Sequence, residues 1–140
     1  MILIIHLCFA GIWLGCVLTE ALFERALLGT GRDNESILAS LHKRVDMIVE
    51  IPAFLGVLIT GAILLSDAGV TTWLIVKVVI SLVAVVANIY CVRLVFLRVK
   101  YASEKNWVAF ERADHMQHKI GAVVLLGIVL ALSMGLYFSA

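Results

Sequence analysis

Charged residues are scarce in this chain of 140 residues: Asp, Glu, Lys and Arg together make up 15% of it. Hydrophobic residues make up 63%, and the mean hydropathy is +1.08. A soluble domain has an apolar share of about one half. The composition therefore excludes a soluble globular protein and indicates an integral membrane protein. The length accommodates a single domain over residues 1–140.

Other common signals are also missing. The net charge is only +1 and there is no basic tail, so we expect no nucleic-acid partner. The three cysteines (Cys8, Cys16 and Cys91) lie in apolar runs and form no CxxC pair, so we interpret them as small buried hydrophobes. No basic region and no small-x-small site precede Glu20, so we expect no cleavable signal peptide.

Long hydrophobic runs are what the chain does have. Four segments reach the length of about 20 apolar residues that a membrane-spanning helix needs. They cover residues 2–23, 45–66, 71–97 and 118–139. No alternating pattern indicates strands, and a helix pairs its own backbone groups in lipid. The only proline, Pro52, lies in the second span and predicts a kink there.

The connections between the spans are unequal in length and charge. Polar connections are expected at 25–41 and 98–114, whereas the middle connection is short and carries only Asp67 as a fixed charge. Almost every Lys and Arg lies on the side of the two polar connections, which the positive-inside rule assigns to the cytoplasm. The sequence therefore predicts an all-α fold: a four-helix transmembrane bundle, up-down-up-down, with both termini on the non-cytoplasmic side.

Ionisable residues inside the spans form an inner group near the cytoplasmic ends. His42, Asp46 and Glu50 are spaced four apart and therefore share one helix face, while Glu20 and His118 reach a comparable depth on the first and fourth spans. Carboxylate and imidazole ligands from facing helices are typical of metal sites in bundles. We therefore predict that these five residues bind a transition metal such as iron, copper, manganese or zinc.

Two less specific interpretations stay open for the inner group. Five residues lie near the expected cytoplasmic interface, where they can be solvated and paired with neighbouring Lys and Arg side chains. The five are Glu24, His42, Asp46, Asp114 and His115. Glu20 and Glu50 lie deeper, where each can form a buried pair with an Arg or His side chain instead of binding metal.

An outer group lies towards the opposite ends of the helices. His6 and Lys77 fall in the outer halves of the first and third spans, and Met134 lies near the outer end of the fourth. A His in a membrane helix can simply bond a neighbouring carbonyl group, and a Lys can extend to the interface. The functional interpretation is a haem site, with His6 as axial ligand, Lys77 near the propionates or as second ligand, and Met134 as another candidate ligand.

Three stretches carry a family resemblance. "IHLCFAGIWLG", "IPAFLGVLITGAILL" and "WLIVKVVISLV" resemble the first, second and third spans of small four-helix membrane proteins of the HemJ-like and CopD-like group. In the HemJ-like family the characteristic polar residues match His6 and Lys77. The resemblance implies bound haem b and protoporphyrinogen oxidation, and in CopD-like relatives it implies copper handling or membrane redox work. The inner carboxylates, including Glu20 and Glu24, are not part of the HemJ-like pattern.

These observations lead to one function hypothesis and two alternatives. We expect a multi-pass haem- or metal-binding protein of the prokaryotic inner membrane with a redox role, in contact with the lipid bilayer and with a redox partner or a second copy of itself. The alternatives are a metal-handling protein or transporter that uses the inner cluster, and a non-catalytic membrane subunit whose polar residues specify helix packing.

Overall fold

The protein consists of long helices that pack side by side in a computed structural model, which describes residues 1–66 and 68–138. In chain order the helices are α1 (Ile2–Leu27), α2 (Arg32–Val45), a π-helical segment (Asp46–Glu50), α3 (Ile51–Ser66), α4 (Thr72–Ser103) and α5 (Trp107–Phe138). No strand occurs among the described residues, which confirms the predicted all-α class. Asp67 and residue 139, the expected end of the last span, lie outside the described residues.

Four helical stretches within the described residues are long and apolar enough to cross a membrane. They are Ile2–Leu27, Arg32–Ser66, Thr72–Ser103 and Trp107–Tyr137. Only 17–22% of the most apolar window of each stretch is buried inside the protein, so most of its apolar side chains face outward. A surface of this kind is typical of helices that lie in a lipid bilayer. The exposed Cys8 belongs to this surface, so the prediction that it is buried was wrong, whereas Cys16 is buried.

The two polar connections are much shorter than the sequence suggested. Instead of 25–41 and 98–114, only residues 28–31 and 104–106 lie outside the helices. The helices continue past the apolar runs because an amphipathic sequence can still bury one face, as α2 does with Leu38. The orientation of the bundle, with both termini outside, stays a prediction.

Arg32 ties the start of α2 to the start of α5. Its guanidinium group donates to Glu35 at 2.9 Å and to Glu111 at 2.6 Å, and it lies 4.8 Å from the ring centre of Trp107. Glu35 also accepts the backbone N–H of Gly29 at 3.1 Å. These contacts hold the first turn of α2 against α5, so the polar ends of the helices are ordered parts of the bundle.

An apolar layer crosses the middle of the bundle. Its buried members come from α1, α3, α4 and α5: Trp13, Ala53, Phe54, Ala84, Val85, Val124 and Ile128. Trp13 lies seven residues from both His6 and Glu20 on α1, a rise of about 10 Å in each direction. The apolar layer therefore separates the outer group of polar residues from the inner group, as the sequence predicted.

Candidate metal centre

Side chains from α1, α2, α4 and α5 and from the π-helical segment line an inner cavity of about 250 Å³. The ionisable residues of its lining are Glu20, Glu24, His42, Asp46, Glu50 and His118. The neutral polar residues Asn88 and Gln117 also line it, and both are buried. All three members of the stripe in the second span are buried as predicted: His42 is 9%, Asp46 1% and Glu50 4% exposed.

The π-helical segment brings Asp46 and Glu50 to this cavity. Pro52 lacks the N–H group that would bond the carbonyl group of Ile48, and its ring crowds that carbonyl. The hydrogen bonds before it widen by one residue, so that the N–H of Ile51 donates to the carbonyl oxygen of Asp46. Where the sequence predicted a kink, the helix thus contains a π turn, a deformation that often occurs at functional sites.

His42 is held between carboxylates on both ring nitrogens. Nδ1 lies 3.0 Å from Oε1 of Glu24, and Nε2 lies 3.1 Å from Oε2 of Glu20 and 3.6 Å from Oδ1 of Asp46. Carboxylates only accept hydrogen bonds, so each nitrogen must carry a hydrogen to bond its partner. The ring is thereby fixed with Nε2 directed at the two carboxylates that the sequence proposed as ligands.

Arg98 is completely buried and contacts several polar side chains on one side of the cavity. Nη1 and Nη2 donate to the two carboxylate oxygens of Glu24 at 2.6 and 3.2 Å, and Nη1 also donates to Oε1 of Gln117 at 2.9 Å. Nη2 lies 2.9 Å from Oδ1 of Asp114. One guanidinium group therefore contacts two carboxylates, supplies one compensating positive charge and fixes the positions of both.

Asp46 lacks such a partner. Among the described residues, no N–H donor reaches either of its carboxylate oxygens, although the side chain is 1% exposed, and its neighbour within hydrogen-bond reach is a second carboxyl group, that of Glu50. The nearest cationic group is Nε2 of His42, at 3.6 Å, beyond hydrogen-bond distance. A buried carboxylate without a donor is costly. At this point in the cavity a bound cation, or a proton shared between Asp46 and Glu50, would offset that cost.

Three groups of side chains each bring their ligand atoms within 4.8 Å of one another. The groups are Cys16, Glu20 and Glu50; Glu20, His42 and Asp46; and Glu24, Asp114 and His118. His118 therefore does not join Glu20 and Glu50 as predicted. Its Nδ1 donates to the carbonyl oxygen of Asp114 at 2.8 Å, its side chain is 42% exposed, and its Nε2 lies 3.9 Å from Glu24.

The solvated interpretation of the five interfacial residues is wrong for four of them. Glu24, His42, Asp46 and Asp114 are all buried, since α2 and α5 extend beyond the apolar runs and cover them. Of the five, His115 alone is exposed, and it is not among the residues that line the cavity. The predicted buried pair with a His is present for Glu20, which faces His42.

The outer group surrounds a second cavity, of about 320 Å³. Of the three candidate haem ligands, His6 and Lys77 line this cavity. Met134 is not among the described residues that line it. Nδ1 of His6 lies 2.8 Å from Oγ1 of Thr60, whose own hydrogen is directed at the carbonyl oxygen of Gly56 at 2.6 Å. Thr60 must then accept from Nδ1–H, which leaves Nε2 of a neutral His6 unprotonated.

Sequence reasoning missed Arg98, Gln117 and Thr60. Arg98 was assigned to a polar connection because the third span was ended at residue 97. It lies seven residues after Cys91, which shares a helix face with Asn88, so extending the helical periodicity by one turn would have identified it. Gln117 and Thr60 carry no comparable signal, since uncharged polar residues are common in membrane helices.

No protein-family model matches this chain, and neither a curated protein nor a solved structure matches it. The resemblance of three spans to HemJ-like and CopD-like proteins therefore stays a prediction. Function has to be inferred from the residues and their geometry.

Proposed function

We propose that this protein binds a divalent transition-metal ion within the membrane, at the inner cavity, with Glu20, His42, Asp46 and Glu50 as ligands. The observation that carries the proposal is the carboxylate of Asp46, which is 1% exposed, lies beside the carboxyl group of Glu50 and accepts no N–H hydrogen bond from the described residues. The carboxylates of these three acidic residues and the imidazole of His42 line one cavity between helices that are apolar enough to cross a membrane. A bound cation removes the repulsion among them and replaces the missing donors.

The surroundings of His42 support metal binding rather than simple pairing. Metal-binding histidines commonly donate the second ring N–H to a carboxylate, which fixes the ring and makes the ligating nitrogen more basic. Glu24 has this position opposite Nδ1, at 3.0 Å, and Arg98 in turn holds Glu24 with two hydrogen bonds. Nε2 then binds the metal once its proton has left, next to Glu20 and Asp46.

The ligand types narrow the choice of metal. Carboxylates are hard ligands and imidazole is an intermediate one, a combination that suits iron, manganese or zinc better than Cu(I). Among these, iron and manganese can change oxidation state. A redox role at this site therefore requires one of those two, whereas zinc would serve structure or hydrolytic chemistry.

The test is the metal content of detergent-purified protein after growth in metal-replete medium, measured by elemental analysis. Wild type should carry at least one transition-metal ion per chain, and His42→Ala and Asp46→Asn should each lower the content at least tenfold. His115→Ala and Asp33→Asn are matched controls, because both side chains are exposed, and they should retain the wild-type content. A metal-free wild type, or His42→Ala with full content, would refute the proposal.

A second candidate function is haem binding with a redox role at the outer cavity, in a multi-pass protein of the prokaryotic inner membrane that resembles the HemJ-like and CopD-like group. Two observations favour it. Thr60 holds Nδ1 of His6, so that Nε2 is available as a ligand. Lys77, a cation that could pair with a propionate, lines the same cavity.

An absorption spectrum of the purified protein distinguishes the two candidates. A Soret band that is present in wild type and lost in His6→Ala supports haem, because His6 is the axial ligand in this hypothesis. Since the apolar layer separates the cavities, His42→Ala should leave the band unchanged. A colourless wild type with bound metal excludes the haem hypothesis and retains the metal proposal.

A further inference from the structure

Glu20 presents its two carboxylate oxygens to two different sets of side chains. Oε1 accepts the thiol hydrogen of Cys16, with the sulfur at 3.7 Å, and Oε2 lies 3.1 Å from Nε2 of His42. The two potential ligand groups on this side of the cavity therefore meet at one side chain. Cys16 and Glu50 form one group with Glu20, and His42 and Asp46 form the other.

Electric charge is compatible with two cations. The carboxylates of Glu20, Asp46 and Glu50 supply three negative charges, so one divalent ion leaves the cluster with a net charge of −1 unless Asp46 and Glu50 keep a proton between them. Two divalent ions leave it with +1, and deprotonation of Cys16 as a metal ligand makes it neutral. Neutrality is the cheapest state for a site enclosed by helices and lipid.

The cavity is large enough for two ions. Its volume is about 250 Å³, whereas a water molecule takes about 30 Å³ in the liquid. Two ions and several water ligands can therefore fit among the side chains. The π turn contributes to the arrangement, because Asp46 and Glu50 lie at its two ends and belong to different ligand groups.

We propose that the inner cavity holds a dinuclear centre of two divalent transition-metal ions bridged by the carboxylate of Glu20. One ion is bound by Oε2 of Glu20, Nε2 of His42 and Asp46. The other is bound by Oε1 of Glu20, Glu50 and the Cys16 thiolate. This inference rests on the proposed metal-binding function and adds the number of ions, the bridging ligand and a sulfur ligand to it.

The third ligand group is not a metal site in this proposal. The guanidinium group of Arg98 already lies between Glu24 and Asp114, with contacts of 2.6 and 2.9 Å, and supplies the positive charge there. The remaining member, His118, has its Nδ1 bonded to the backbone, which leaves Nε2 as its only possible ligand atom. A second ion bound through His118 is therefore the main competing explanation for a stoichiometry of two.

Titration of the metal-free, detergent-purified chain with Co²⁺ tests the proposal. Bound cobalt is counted by elemental analysis after free metal is removed, and thiolate ligation is followed by its near-ultraviolet charge-transfer absorption. We expect two ions per chain and a thiolate band in wild type. Cys16→Ser should bind one ion without the band. Cys8→Ser, a matched control at an exposed cysteine, and His118→Ala should both retain two ions and the band.

The outcomes separate the dinuclear centre from metal binding in general. If wild type binds one ion without a thiolate band, the dinuclear centre is wrong and the proposed function remains. If wild type binds no cobalt, both are wrong. Two ions in Cys16→Ser, or a loss of one ion in His118→Ala, would also overturn the dinuclear centre, because the second ion would then lie elsewhere.

Discussion

The completely buried guanidinium group of Arg98 allows a direct test of the inner network. We expect Arg98→Met to destabilise the metal-free protein by about 3–5 kcal/mol, the usual cost of removing one partner from a buried ion pair. Methionine is unbranched, flexible and of similar length, so it can fill much of the space that the arginine leaves. The loss then reports on charge and hydrogen bonding rather than on a cavity.

The magnitude follows from what the substitution leaves behind. Arg98 makes two contacts with Glu24, at 2.6 and 3.2 Å, one with Asp114 at 2.9 Å and one with Gln117 at 2.9 Å. A hydrogen bond to a charged group contributes about 1.5–3 kcal/mol. The four contacts share donors and acceptors, so their contributions do not add. Glu24 and Asp114, which are 4% and 8% exposed, lose their guanidinium partner and keep only the nearby imidazoles of His42 and His118, at 3.0 and 3.5 Å.

Thermal unfolding in detergent with a metal chelator measures the effect. A fluorogenic maleimide reacts with Cys16 and Cys91 as they become accessible, and Cys8→Ser removes the thiol that is exposed in the folded protein. A loss of this size in a chain of this length corresponds to a fall in the melting midpoint of roughly 10 °C or more.

Two comparisons make the result interpretable. Arg93→Met removes an exposed arginine from the same helix and should change stability by no more than about 0.5 kcal/mol. Combining Arg98→Met with Glu24→Gln and Asp114→Asn removes the uncompensated charges and should recover more than half of the loss. Equal melting midpoints for Arg98→Met and Arg93→Met would refute the reasoning.

Three further predictions address topology, packing and proton release. Ser36→Cys in a cysteine-free background should resist an impermeant thiol reagent added outside intact cells, because the positive-inside rule places the start of α2 on the cytoplasmic side. Labelling would contradict the predicted orientation. Gly127→Ala should lower the unfolding free energy, measured by chemical denaturation, by about 1–3 kcal/mol, because its Cβ would lie 2.8 Å from the side chain of Ala84 on α4. Gly11→Ala is the control: its Cβ meets nothing within 4 Å, so the unfolding free energy should not fall. Metal binding should release at least one proton per chain, because both N–H groups of His42 face carboxylates and the metal must displace the proton on Nε2. The release is measured by calorimetry in buffers of different ionisation enthalpy. Binding without proton release would show that His42 is not a ligand.

The sequence by itself determined the architecture and part of the site. Four apolar runs of sufficient length leave only helices as the spanning structure, since backbone groups cannot stay unpaired in lipid. The spacing of His42, Asp46 and Glu50 places them on one face, and the cost of a carboxylate facing lipid directs that face inward. Both inferences depend only on the spacing of residues along one helix and on the free energy of transferring each side chain from water to lipid, and both follow from the order of the residues alone.

Tertiary structure decided how the polar residues are paired. Arg98 lies 74 residues from Glu24, and nothing in the local pattern of either helix indicates that they meet. The same holds for His118, which has the expected depth but is turned towards Glu24 and the surface instead of Glu50. Depth follows from the rise per residue along one helix. The partner of a side chain depends instead on the rotation of each helix about its axis and on where the helix ends, and these are set by packing over the whole bundle.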